Sequence, residues 1–365
     1  LDLASSNTIG FDSFFIPNLI SSLSFLLKGV HGVANSMELK RKGGYKILSY
    51  LLLRISESGM LTTDIIHRIF DVATSSSSST TKSAKLIVDV ECIRCVVMNH
   101  AVQIRSTGVH YVKLRASIIE NICTLVDSTY NVHSSFNIMM LRNVNMIAWL
   151  LNTMLDDARH VGRVSSVIAE KVVTNTKGQR QSLCNTIRES GTVLKWILVQ
   201  SINDNDCRMV MNFLMAVIND TNIHDTNEIN NNNDSAESNT EGYSILQITL
   251  FRVIMALPTL VEDRQRVSEL LDTYGRVFVM SDGFFGTFID AGRPWKTTVE
   301  SLRFLVTLTQ SGIKGAHDCF NEILSNGGLD EFADVGAVHV LLLSIWLGVD
   351  VCTFELAVAE RHAVL

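Results

Sequence analysis

The sequence predicts an all-α chain whose amphipathic helices stack as an α-solenoid. Three observations carry this: proline is scarce, apolar residues are spaced for helices almost throughout, and one short apolar pattern returns at a regular distance. Only 3 of the 365 residues are proline. Sandwiches and barrels need many turns, and proline costs about 3 kcal/mol inside a helix, so long helices joined by polar loops fit the shortage. Hydrophobic residues make up 47% and charged residues 19%, so most of the chain can bury a core.

The elements follow in order. Lys40-Arg41-Lys42 precedes Gly43-Gly44, and then Tyr45, Leu48, Leu51, Leu52 and Ile55 form one stripe of a helix. Glycine beside positive charge raises the question of a phosphate cradle. Such a loop should follow a strand and carry G-x-x-x-x-G-K-[ST] spacing, which is missing here. The pair reads instead as a hinge between helices, since glycine takes positive φ without steric cost. After Gly59, Thr62 or Thr63 is placed to cap a helix that puts Ile65, Ile66, Ile69, Phe70 and Ala73 on one face. Ile87, Val88, Cys92, Cys95, Val96 and Met98 continue the helical mode, as do Ile118, Ile119, Ile122 and Leu125. Near the C-terminus, Thr297 and Glu300 have capping-box spacing.

The recurring pattern is two apolar residues, a small or polar one, an aromatic, then two more apolar residues. It begins at Ile47, Met146 and Val193, so the last two copies start 47 residues apart and the first lies 99 before the second. A period of about 40–47 residues is that of armadillo and HEAT repeats, whose helices bury their apolar faces only by stacking on neighbours. The expected organisation is a helical-repeat segment over 1–218 with a Ser-rich loop near 74–84, a disordered Asn-rich insertion over 219–242, and continued helical repeats over 243–365.

Chemistry is hard to place on this frame. The net charge is −6 and the basic residues are scattered, so no nucleic-acid partner is expected. An RNA-binding helical repeat is one alternative, with the acidic balance against it. Cys92 and Cys95 form C-x-x-C with His100 nearby, which opens a second alternative, a zinc- or redox-active helical protein. A structural zinc site needs four ligands and a redox pair should open a helix beside a sheet, so a core role for both cysteines is preferred. Seven cysteines without framework spacing fit reduced thiols in a cytoplasmic protein. His67, His110, His133, His160 and His339 stand alone, without a nucleophile and carboxylate at recognisable spacing. No catalytic residue, metal or cofactor is expected, and the chain reads as a non-enzyme. The candidate partner-contact residues are Phe284, Phe285, Arg293 and Trp295, an aromatic loop around a Gly-Arg-Pro bend, together with Lys40, Arg41 and Lys42.

KRKGGYKILSYLLLRI followed by LTTDIIHRIFDVA, and the segment SSFNIMMLRNVNMIAWLLNTMLDD from Ser134 to Asp157, resemble a known family. They look like the armadillo-like, lectin-associated region upstream of the BEACH domain in large BEACH and WD-repeat proteins. The resemblance covers roughly residues 35 to 215. It implies a protein-interaction scaffold, a fragment of a longer chain, with work in membrane trafficking and peripheral association with endomembranes through the parent protein. The BEACH signature and WD repeats are absent from these residues.

Overall fold

The structure is a computed structural model. It describes residues 15–57, 59–77, 84–99, 109–167, 173–200, 202–228, 236–261, 264–275, 300, 304 and 307. Of these, 84% are helical, which settles the class as all-α. The chain divides into two compact units, Leu1–Trp149 and Leu150–Leu365.

In the first unit, α1 (Phe15–Lys28) buries Ile16 and Ile20, and α2 (Gly32–Arg41) follows it. Gly43 then takes φ +69°. Its N–H donates to the Lys40 carbonyl at 3.0 Å, and its own carbonyl accepts from Lys46 N–H at 3.0 Å. A Cβ on Gly44 would collide with the Leu39 side chain. The pair is therefore a helix joint, as the sequence leads one to expect. Helix α3 (Gly44–Glu57) buries Tyr45, Leu48, Leu52 and Ile55. Thr62 caps α4 (Thr63–Ala73) by accepting from Ile65 N–H at 3.4 Å, and Ile65, Ile66, Ile69, Phe70 and Ala73 are all buried.

The next stretch departs from expectation. Thr74–Ser77 (β1) and Ala84–Ile87 (β2) pair antiparallel, Thr74 opposite Ile87 and Ser77 opposite Ala84. The ends of the expected loop near 74–84 are thus strands, and Ile87 is in a strand rather than a helix. Non-local bonds hold the hairpin. Asn137 Oδ1 accepts from Ile87 N–H at 2.9 Å. Asn137 Nδ2 and Asn131 Nδ2 donate to the Lys85 carbonyl at 2.9 and 2.8 Å. Asp89 then caps a single turn, α5 (Val90–Cys92), which passes into a π-helical turn over Ile93–Val97. Helix α6 (Val109–Val126) buries Ile118, Ile119, Ile122 and Leu125. Helix α7 (Ser134–Arg142) ends in a turn where Asn145 takes φ 59°, a left-handed position that asparagine tolerates better than most residues.

Within this unit two pairs of packed helices run parallel. Ser24 Oγ donates to the Asp71 carbonyl at 3.4 Å, and Arg68 donates to Ser21 Oγ; each pair is 47 residues apart. A constant offset along two helices means that α1 and α4 run side by side in the same direction. Tyr45 with Asp89, 44 apart, and Ser49 with Asn99, 50 apart, set α3 beside α5 and its π turn in the same parallel sense.

The second unit takes most of α8 (Met146–Val167), then α9 (Val173–Gln200), α10 (Asp204–Glu228), α11 (Ala236–Leu260) and α12 (Arg264–Leu270) with a π turn over Leu271–Gly275. Arg180 pairs with Glu241, and Gly191 lies against Thr249 and Val253, so α9 and α11 are parallel too. Gly242 lies against the Ala158 backbone. Leu183, Ile187, Leu194, Leu246, Leu250 and Phe251 fill the core. Of the Asn-rich stretch expected to be disordered over 219–242, the ends are helical, in α10 and α11, and 229–235 lie outside the described residues.

Candidate functional site

The basic cluster at the α2–α3 joint is occupied by its own carboxylates. Arg41 grips Glu38 with two hydrogen bonds, 2.8 and 2.7 Å, and Lys42 Nζ lies 3.1 Å from the same carboxylate. The Arg41 hydrogen bonds, then that of Lys42, hold the Glu38 carboxyl down at about 2. Lys40 turns inward to Asp89, 3.2 Å away.

Asp89 is the hub of a polar cluster that sequence reading does not anticipate. The residue is buried. Its Oδ2 accepts from Tyr45 Oη at 2.7 Å and Ser36 Oγ at 2.8 Å, and its Oδ1 accepts from Cys92 N–H at 3.2 Å. Burial, and then the bond to Asp89, pushes the Tyr45 phenol far above its ordinary value. The hub ties α2 and α3 to the start of α5, and every oxygen of the carboxylate is engaged, so its chemistry is that of a clamp. The one local signal is an aspartate placed as an N-cap before Val-Glu-Cys.

The cysteine pair is divided between core and surface. Cys92 is fully buried, and burial first, then Asp89, raises its thiol well above the usual range. Cys95 is half-buried and donates to Glu91 Oε1 at 3.1 Å. Burial and that bond raise it too. Both stay protonated near neutral pH, the reverse of an activated thiolate. Cys207 in α10 is likewise pushed up to about 12, chiefly by burial. Among the described residues no three of His, Cys, Asp and Glu gather as a metal-holding group. His100 and the side chain of His110 lie outside them. His67 Nδ1 sits 3.0 Å from Asn121 Nδ2, and His160 Nδ1 sits 2.8 Å from the Asp156 carbonyl.

Phe284, Phe285, Arg293 and Trp295 fall outside the described residues, as does His339. In the first unit a cavity of about 20 Å³, lined by Leu52, Leu61, Ile66, Ile69, Val96 and Leu114 among others, is a packing gap of roughly one water's size without polar partners. Among the described residues no helix is long and apolar enough to cross a membrane. Compared with family models, curated proteins and solved structures, the chain matches none.

Proposed function

We propose that the chain is a non-catalytic protein-interaction scaffold, an α-solenoid of the armadillo/HEAT kind whose repeats present surface to other proteins. The observation that carries this reading is the repeat-length offset between packed helices. Cross-helix hydrogen bonds of the first unit join residues 44 to 54 apart, 47 in both α1–α4 bonds. Parallel contacts between helices about one repeat length apart, α1 with α4 and α3 with α5, are what a repeat of about 40–47 residues produces. The polar groups add support, because the basic cluster, Asp89 and Cys95 are spent on internal bonds and Cys92 and Cys207 are buried. The connection to BEACH proteins and endomembrane trafficking rests on the sequence resemblance alone.

The test is partner capture with the full chain. A specific protein should be retained, be identified by mass spectrometry, and rebind in purified form with saturable affinity. Failure of every retained protein to rebind when purified would sink the reading.

A further inference from the structure

We propose that the outer face of α3 seats an extended acidic segment of another protein, of the pattern acidic-x-apolar-x-acidic. This rests on the scaffold reading and adds the partner's chemistry to it. Helix α3 buries Tyr45, Leu48, Leu52 and Ile55 on one side, and the opposite side of a surface helix is ordinarily polar. On α3 that side is largely apolar. Ile47 is 59% exposed and Tyr50 54%, with Leu51 and Leu53 half-buried beside them. Helical spacing sets Tyr50 nearly opposite Leu52, so it points away from the core. A cation flanks it at each end. Lys46, also exposed, stands one turn before Tyr50 and Arg54 one turn after, so the three form a single stripe along one helix.

These cations differ from Lys40, Arg41 and Lys42, whose carboxylates are already in place. Lys46 has no ion-pair partner among the described residues. Arg54, with its side chain 62% exposed, is held in position by Tyr50. Its Nε donates to Tyr50 Oη at 3.1 Å, and its guanidinium lies 5.3 Å from the ring centroid. Nη1 donates to Glu57 at 3.2 Å, and Nη2 has no hydrogen-bond partner among the described residues. A guanidinium ordered in advance loses less freedom when a carboxylate arrives. Tyrosine and arginine are also the side chains that dominate interface energetics.

Charge and spacing select the occupant. The stripe is cationic at both ends on a chain of net charge −6, and its complement carries two carboxylates around an apolar side chain. Lys46 and Arg54 are eight residues apart, about 12 Å along a helix. An extended strand places residues i and i+4 on one face about 13 Å apart, with i+2 between them. Carboxylates at i and i+4 then reach the two cations while an apolar side chain at i+2 lies on Tyr50 and Ile47. A long polyanion such as RNA meets the field of the whole acidic chain, whereas this segment brings only two charges.

Fluorescence anisotropy of the full chain with a labelled Glu-Ser-Phe-Ser-Glu peptide at low salt tests this. Saturable binding is expected, and the same residues reordered as Glu-Glu-Ser-Ser-Phe should bind about fivefold more weakly or worse. Lys46→Glu combined with Arg54→Glu should weaken binding at least about tenfold with the helical circular dichroism unchanged. Arg208→Glu, exposed in α10, should leave it intact. Absence of saturable binding overturns the proposal, as does equal affinity for the reordered peptide or of the charge-reversed variant. Tighter binding of a labelled uridine oligonucleotide also overturns it, since the stripe would then be a nucleic-acid contact. If the glutamate pair disturbs α3, Lys46→Gln with Arg54→Gln removes both charges, and the same outcomes apply. Partner capture keeps this inference apart from the scaffold reading. A protein captured and rebound equally by the wild-type chain and the charge-reversed variant upholds the scaffold and removes this site from it.

Discussion

The two units join their helices by different means. In the first, buried polar side chains do it: Asp89 clasps Ser36, Lys40 and Tyr45, and Asn137 holds Ile87, Lys85 and Leu125 through backbone groups. In the second, beside the Arg180–Glu241 pair, glycines let helices approach, Gly191 against the Thr249 side chain and Gly242 against the Ala158 backbone. The contrast concerns what each joint can lose. A buried polar joint fails when an acceptor is removed, because the donors left behind stay out of water. A glycine joint fails when an atom is added, because close-packed backbone has nowhere to go.

The largest effect should come from Asp89→Ala. It strands the Tyr45 hydroxyl, leaves α5 without its cap and removes the Lys40 partner. We expect a loss of about 3 kcal/mol in urea unfolding. Asp89→Asn, which keeps an acceptor but no charge, should recover part of it. Native-state hydrogen exchange should show the loss in α2, α3 and α5 and not in α9 or α11. If Asp89→Ala is no worse than Asp89→Asn, the clasp is not what joins the first unit.

Gly242→Ala is the matching experiment in the second unit. The new Cβ would strike the Ala158 backbone, and relief requires α11 to move, at about 2 kcal/mol. Gly43→Ala gives the comparison. Nothing lies near its Cβ, but φ is +69°, so about 1 kcal/mol of backbone strain is expected. Urea midpoints of the two variants should rank in that order. The reverse order would mean that the α8–α11 approach is loose and the contrast between the units is overstated.

Local features are the ones legible in the sequence. The buried stripes of α3, α4 and α6, the Thr62 cap and the Gly43 joint depend on neighbours within a turn or two, and period and capping chemistry show them. The hairpin was hidden because β2 is held by Asn137, 50 residues away from Ile87, and the spacing of Ile87, Val88, Cys92 and Cys95 mimics a helix across a strand and a cap. Lys40 to Lys42 are conspicuous in the sequence, but that they are already paired depends partly on Asp89, distant along the chain. The repeated hexad was only half informative. Its second and sixth positions are buried in all three copies, Leu48 and Leu52, Ile147 and Leu151, Leu194 and Leu198. Its aromatic is exposed at Tyr50 and buried at Trp149. The shared signal is an i, i+4 buried pair, common to amphipathic helices. The 47-residue spacing reappears elsewhere, in the α1–α4 contacts.

The smallest expected effect is alkaline. Both units bury thiols, Cys92 in the first and Cys207 in the second. Burial raises Cys207 from an ordinary value of 9.0 to about 12. A raised value means that the folded state keeps its proton when the unfolded state gives it up. The stability linked to this thiol is therefore complete below pH 9 and falls as pH climbs from 9 toward 12. Between pH 8 and pH 10 the fall is about 1 kcal/mol for one such group. Cys207→Ala should flatten the slope of unfolding free energy against pH by that amount, whatever constant penalty its small cavity adds. Cys95, half-buried and in contact with Glu91, should be the first of these three to react with a thiol reagent in the folded protein, while Cys92 and Cys207 wait for unfolding. Rapid modification of Cys207 in the native state, or an unchanged alkaline slope in Cys207→Ala, would show that α10 opens to water on its own, and the second unit would then be less tightly joined than its glycines imply.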